Sequence, residues 1–391
     1  MRRIPSRGSL RRAAGDEVVR TANRDVYVLG AGASYVHGAP LTDGLLEYAF
    51  TRSRHRADPR FGLLRQFLGE VFHFQVPRNA RRSAWRAMPS LVDVLSVVDV
   101  ALDRKESLAR RYGFEPLRRV RSALEFAIFD ALEDSLGGYR PGQRRSRATQ
   151  MLVAGLSPER AAVISFNYDV IVDIALAMRG RAFNFDRADV EMLSGSDHQA
   201  IDYGVEFANV EPVAQGRQRF QLLKLHGSFN WLRSRVTGNL YFGGMHKAVG
   251  QLYRTPELRQ AADLGGFYRG HRLPEAIADL EPVLITPTHL KDLRNSHLAR
   301  IWRSAEDCLR TAKRITFIGY SLPGDDLHVK YLFKRAMETR LPGTRPPRIV
   351  VVDKGNRKTS QVRANYERFF GKQNVSYHGE GFDKWVQRHR A

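Results

Sequence analysis

Cysteine is nearly missing from this chain: Cys308 is the one cysteine among 391 residues. A disulfide framework and a zinc site built on cysteines are thereby excluded. The setting of Cys308, SAEDCLRTA, has helical spacing and reads as a place for a small buried residue. The twelve histidines are scattered, with no HExxH or paired ligand spacing, so no metal is expected from the protein side. No run reaches the roughly 18 consecutive apolar residues of a membrane-spanning helix. The richest, LVDVLSVVDVAL (91–102), is interrupted by Asp93 and Asp99. No GxxxxGK(S/T) occurs, which places any ATPase that works with this protein on another chain. A repeat of fixed period is absent too, which excludes a solenoid. Acids are missing before Asp16, where MRRIPSRGSLRRAAG is Arg-rich. Pro5, Gly8 and Gly15 weaken the helix of a transit peptide and no apolar segment follows, so residues 1–24 are expected to be a basic tail on a cytoplasmic protein.

What is present suffices for a full core: 43% of residues are hydrophobic and 10% aromatic, which excludes disorder throughout. Lys and Arg number 63 against 41 acids, a formal net charge of +22. The excess is shared evenly by the two sides of residue 160, with clusters at Arg78, Arg81, Arg82 and Arg86 and at Arg140, Arg144, Arg145 and Arg147. The segment 161–211 is the exception, being rich in acids. A charge of this sign fits nucleic acid or an acidic protein surface as a partner, and equally a solvated Arg-rich surface.

Short apolar or β-branched runs recur as DVYVLG (25–30), AVISF (162–166), FQLLKL (220–225), VLIT (283–286), RITFIG (314–319) and RIVVVD (348–353). Such runs read as strands buried on both faces of a parallel sheet. HLARIWRSAEDCLRTA (297–312) and HVKYLFKRAMETR (328–340) are amphipathic helices leading into the last two strands. The predicted fold is α/β, a Rossmann-like doubly wound parallel sheet. Between the first two strands, some 120 residues hold four further helical patterns, too many for an ordinary crossover. The expected organisation is one domain over 25–391, with a helical insertion at about 41–160 and a small irregular lobe at about 231–280. That lobe contains the pairs Gly243-Gly244 and Gly265-Gly266 and a hairpin around LYFGG.

In an open parallel sheet ligands bind beyond the carboxyl ends of the strands. There the sequence places Gly30-Ala31-Gly32-Ala33-Ser34 and then Gly38-Ala39-Pro40 after the first strand, and Asn167-Tyr168-Asp169 after the second. His226-Gly227-Ser228 follows the third, Gly319-Tyr320-Ser321-Leu322-Pro323 with Asp325 and Asp326 the fifth, and Asp353 with Asn356 the sixth. Each has an ordinary reading as a tight turn, a cap or a loop. The glycines also suit backbone N–H groups approaching a phosphate, although Tyr35 stands where a GxGxxG fingerprint has its third glycine.

In order and content this series resembles the NAD site of the sirtuin superfamily, over about residues 25–353. The forms FNYD, KLHGSFNWL and IGYSLPGDDLH look most like the SIR2-like proteins of prokaryotic antiphage defence. Deacylating sirtuins carry a zinc module on four cysteines, which one cysteine cannot build. Their Phe-Arg pair is replaced here by Leu41, Thr42 and Asp43. The resemblance thus implies NAD as substrate, no zinc, and a site that cleaves NAD at its nicotinamide end.

By the same resemblance Asn167 holds the ribose or the attacking water, and His226 acts on the ribose hydroxyls as a general base, a task suited to an imidazole of pKa about 6.5. Asp169 contacts the nicotinamide side or orders the Asn167 loop. Gly30, Ala31, Gly32 and Ser34 cradle the pyrophosphate with Pro40 nearby, Gly319, Ser321 and Leu322 line the adenosine half, and Asp353 meets a ribose hydroxyl. The function implied is an NAD glycohydrolase effector of antiphage defence, a homo-oligomer activated by assembly or by a HerA-type NTPase, a STAND-type sensor or an Argonaute-like partner. The alternatives are a module that senses NAD or ADP-ribose while binding nucleic acid or a partner protein, and a protein deacylase.

Overall fold

The computed structural model describes residues 24–52, 57–77, 82–137, 146–179, 200–210, 218–242, 280–288, 295–324, 326–340, 342, 344–356 and 359–389. The expected basic tail, apart from Arg24, lies outside these residues, as do Asp325 and positions 243–279 of the expected lobe with both glycine pairs.

Along the chain the elements are β1 (Arg24–Leu29), α1 (Ala31–Tyr35), α2 (Leu45–Thr51), α3 (Pro59–Val71), α4 (Leu91–Arg104), α5 (Phe114–Gly137) and α6 (Ala148–Ala154), then β2 (Ala161–Ser165), α7 (Ile171–Ala177), β3 (Ile201–Asp202) and β4 (Phe220–Lys224). They continue with β5 (Gly227–Ser234), β6 (Leu240–Phe242), β7 (Leu280–Leu284), α8 (Ser296–Thr311), β8 (Ala312–Ile318), α9 (Leu327–Glu338), β9 (Arg348–Val352), α10 (Gln361–Phe370), β10 (Val375–His378) and α11 (Phe382–Arg388).

Seven strands form one sheet in the order β10-β9-β8-β1-β2-β4-β3, and every neighbouring pair is parallel. This is the Rossmann-like α/β sheet expected. β2 is buried at each of its five residues, as a strand covered on both faces must be. The helix α8 turns Leu298, Ile301, Ala305, Cys308 and Leu309 inward, while Asn295 caps its start by accepting from the N–H groups of His297 and Leu298. Burial pushes the Cys308 thiol up to about 12, so it is no nucleophile near neutral pH.

One expected strand sits elsewhere. VLIT overlaps β7, which belongs to a second sheet of order β6-β5-β7 and pairs antiparallel with β5. The cause is the connection after β4: two residues, Leu225 and His226, separate it from β5, far too few for a crossover back into a parallel sheet. The chain therefore leaves the large sheet at His226 and starts a small one. Pro282 lacks an N–H and is tolerated because β7 is an edge strand there. LYF of the hairpin expected around LYFGG forms β6, which pairs back with β5, Trp231 to Phe242 and Arg233 to Leu240, while Gly243 and Gly244 lie outside the described residues. Three strands match no run picked out in the sequence, β3, β5 and β10.

The helices α2 to α5 enclose a core of their own, with Phe61, Leu64, Phe67, Leu95, Val98, Leu124 and Ala127 fully or almost fully buried. A second core surrounds the large sheet. The small sheet lies between the two: Leu232 and Tyr241 join the helical core, while their neighbours Trp231 and Phe242 join the sheet core. Alternation along a strand produces this division. In α3 the Asp58 carboxylate accepts from the Arg60 N–H at 2.9 Å, just ahead of Pro59 in the first turn. Asp58→Ala is expected to lower stability by about 1 kcal/mol, read as a shift in the urea midpoint at unchanged slope. Among the described residues, no helix is long and apolar enough to cross a membrane.

Candidate active site

In the large sheet β1 is flanked by β2, reached first along the chain, and on its other side by β8, reached much later. That reversal is a topological switch point, where the loops after adjacent strands splay apart and leave a crevice. Because all seven strands are parallel, the residues after β9, β8, β1, β2 and β4 share one edge of the sheet. The structure thereby lines up Asp353, the 319–322 loop, the 30–34 turn, Asn167 to Asp169, and His226.

At the switch point two loops touch backbone to backbone. A Cβ on Gly30 would lie 2.7 Å from the Gly319 carbonyl oxygen, and one on Gly32 2.6 Å from the Gly319 Cα. Gly319 has φ +62°, and a Cβ there would fall 2.3 Å from the Ala33 nitrogen. The N–H of Gly30 donates to Ile318 O and that of Gly32 to Gly319 O. These glycines thus join two loops, and what the turn leaves for a ligand is Ala31 and the half-buried face of Gly32.

Across β1 and β2 a chain of hydrogen bonds runs through four of the sequence-selected residues. The Asn167 amide nitrogen donates to Gly30 O and to Ser34 Oγ, both at 2.9 Å. Ser34 Oγ donates to Asp169 Oδ2 at 2.6 Å, and the Ile171 N–H donates to Asp169 Oδ1. A carbonyl can only accept, so the Asn167 atom facing Gly30 O must be the NH2. An ionised Asp169 accepts only, which obliges Ser34 to donate to it and to accept from Asn167. The amide is thereby fixed one way round, and its Oδ1 has no partner among the described residues. Ser34 faces inward and Asp169 is buried. Burial pushes the Asp169 carboxyl above the usual carboxylate range, against the opposing pull of Lys224, Ser34 and the Ile171 N–H.

His226 is buried at the junction of the two sheets, where its carbonyl accepts from the Ile285 N–H at 2.9 Å. Gly227 follows with φ +78°, a left-handed turn that brings its backbone against Val283. The imidazole packs against Phe166 at 5.1 Å between ring centroids, and Phe166 against Tyr320 at 4.6 Å. This aromatic row joins the ends of β4, β2 and β8. The Tyr168 hydroxyl donates to Ile285 O and its ring stacks on Phe229.

The other selected residues stand further out. Leu322 has φ +49°, and its loop is held by Asn365 donating to Ser321 O and Leu322 O and by the Tyr366 hydroxyl donating to Tyr320 O. Asp353 accepts from Tyr377 at 3.4 Å and lies two strands from β1, about 10 Å across the sheet. Pro40 is half-buried before the 3-10 turn at Thr42–Gly44. Asp326, picked out in the sequence, accepts from the Tyr320 hydroxyl at 2.7 Å.

Three residues outside the sequence-selected set, Lys224, Asp173 and Tyr203, join this network. Lys224 Nζ donates to Asp169 O at 2.6 Å and to Asp173 Oδ2 at 3.1 Å, and the Tyr203 hydroxyl donates to Asp173 Oδ1 at 2.8 Å. The available signal was a lysine inside FQLLKL, since a charge in a doubly covered strand requires a partner. Among the described residues, no group of three or more His, Cys, Asp or Glu is gathered as a metal ion would need.

No protein-family model matches the chain, and no curated protein matches it. Solved structures do. One is Sir2Tm bound to a propionylated peptide, 10% identical over 96% of this chain and 95% of that chain, with a TM-score of 0.41. A Sir2 complex with a p53 peptide and NAD+ has the same identity and coverage and a TM-score of 0.40. A complex of a Sir2 homologue with NAD is 13% identical over 96% of this chain and 93% of that chain, with a TM-score of 0.38. At likenesses this low, what the site does is decided by its own residues.

Proposed function

We propose that the chain is a sirtuin-like NAD glycohydrolase, converting NAD and water to nicotinamide, ADP-ribose and a proton. The observation that carries this reading is the orientation of Asn167. With its NH2 committed to Gly30 and Ser34, the amide offers Oδ1 as an acceptor beside the switch point of the sheet. An acceptor held so is suited to accept a hydrogen bond from a water or a ribose hydroxyl and leave the oxygen lone pair aimed at the anomeric carbon. The bond from that carbon to the nicotinamide nitrogen breaks through an oxocarbenium-like cation, the water oxygen bonds to the carbon, and the water's proton departs. Placement accounts for much of the acceleration in such a step.

His226 would receive the water's proton by way of a ribose hydroxyl, which passes its own proton to the imidazole and is refilled from the attacking water before the imidazole releases the proton to solvent, and the row of Phe166 and Tyr320 beside it would keep bulk water from the cation. In this reading Gly30, Ala31, Gly32, Ser34 and Pro40 shape the pyrophosphate side, Gly319, Ser321 and Leu322 the adenosine side, and Asp353 an outer ribose. Residues 25–391 act as one NAD-binding unit with its helical insertion and small lobe. The forms FNYD, KLHGSFNWL and IGYSLPGDDLH support a place among antiphage effectors, whose NAD-consuming activity is restrained until a partner or self-assembly releases it.

The test is to incubate the full chain with NAD, alone, with the products of neighbouring genes, and with an acyl-lysine peptide, and to follow nicotinamide. Release without peptide is the expected result. Release only with peptide makes the protein a deacylase, and NAD binding without release makes it a sensing module. An acid limb is also expected. Asp169 must be ionised to hold Ser34 and Asn167 as they are, and its carboxyl is pushed up, so it takes a proton at a higher pH than an ordinary aspartate. Activity should therefore fall with acidification starting above pH of about 4, and a kcat profile flat down to pH 4 contradicts the role given to Asp169.

A further inference from the structure

Lys224 closes β4 in register with Ser165 of β2 and is fully buried, as is Asp173. A buried ammonium is costly, and methionine or leucine would complete the apolar face of β4 without that penalty. The reason for the lysine lies in what it holds. Its shortest contact is with the backbone carbonyl of Asp169, in the loop that carries Asn167, and its contact with the Asp173 carboxylate is the longer one. From there the connection runs through the Asp169 carboxylate to the Ser34 hydroxyl and on to the Asn167 amide.

We infer that Lys224 is a positioning residue, which pins the Asp169 turn, keeps the Asp169 carboxylate ionised and so keeps Asn167 presenting its amide oxygen. The titratable groups that face Asp169 are Lys224 from β4 and Asp173 from α7, with Tyr203, after β3, reaching Asp173 in turn. Two carboxylates thus share one ammonium inside the protein. Without the ammonium, the buried Asp169 carboxylate loses the largest pull toward its ionised form, and burial then favours the protonated one. A protonated Asp169 no longer obliges the Ser34 hydroxyl to donate to it, and the second amide hydrogen of Asn167 loses its fixed acceptor. Gly30 then holds the amide alone.

The kinetic part of this inference rests on the NAD-cleaving reading, and the titration of Asp169 does not. Lys224→Met alone strands the Asp173 charge and endangers folding, so the informative variant is the double one, Lys224→Met with Asp173→Asn, in which Tyr203 keeps an acceptor. Asp169 is titrated in the NAD-free full chain by its carboxyl carbon resonance, assigned with Asp169→Asn. The double variant should retain a cooperative thermal transition and move the Asp169 titration up by about one pH unit, a tenfold change in proton affinity. The acid limb of kcat should move up with it, so that kcat falls by up to about tenfold at a pH on that limb, with KM for NAD little altered. Asp173→Asn alone keeps the ammonium on Asp169 and should shift neither upward. An Asp169 titration unchanged in the double variant overturns the inference, as does a loss of kcat equal at every pH. If the titration moves as expected while the native protein cleaves no NAD, the role of Lys224 in the loop stands and the glycohydrolase reading fails.

Discussion

Asn167→Ala is expected to slow nicotinamide release about a hundredfold or more, because misplacing a reacting group by an ångström is enough for that loss. KM for NAD should change far less, since the backbone of the 30–34 turn and the 319–322 loop are untouched. Stability should change by about 1 kcal/mol at most: the Gly30 carbonyl keeps the Ala33 N–H and Ser34 keeps Asp169. His226→Ala is expected to lose about a hundred- to ten-thousandfold, the range for a general base. Initial rates of nicotinamide release, with melting curves on the same samples, decide both. Full activity in either variant removes the role assigned to that residue.

The second large effect concerns the contact between the two glycine loops. Gly319→Ala should destabilise the protein by about 3 kcal/mol or more, combining a left-handed backbone unsuited to alanine with overpacking against another backbone. Neither the Gly32 carbon nor the Ala33 nitrogen, each 2.3 Å from the new Cβ, can move as a side-chain tip would. The 30–34 turn must then lift from β8, taking Gly30 away from the Asn167 amide. Gly62→Ala is the natural comparison, at the end of the first turn of α3 with nothing within 4 Å of the new carbon. There alanine should stabilise by roughly 0.5–1 kcal/mol. Equal denaturation midpoints for the two variants would falsify the account of Gly319.

The large sheet was legible because buried parallel strands read as unbroken apolar runs, and because the polar residues that end them share one edge whatever lies between. VLIT misled for the same reason, since four apolar residues look alike whether the neighbouring strand runs parallel or antiparallel. What decided its place was the two-residue spacing between FQLLK and GSFNWLRS, visible in the sequence but overshadowed by His226-Gly227 as a motif. β3 has two residues and β10 reads VSYH, too short or too polar to register as buried strands. Asn167, Asp169 and Ser34 were found singly as strand-end residues. Their linkage joins positions 133 to 135 apart in sequence, which no local pattern shows. Lys224 was hidden by its own strand, because its partner Asp173 lies 51 residues earlier.

The two-residue step from β4 into β5 also ties the two cores mechanically. His226 receives the Ile285 N–H through its carbonyl, and both faces of the small sheet are gripped, one by the helical core and one by the sheet core. A displacement of the helices α2 to α5 is therefore expected to shift β5 and the backbone of His226 with it. The general base of the proposed reaction sits at the fulcrum of a lever whose long arm is the outer surface of the helical layer.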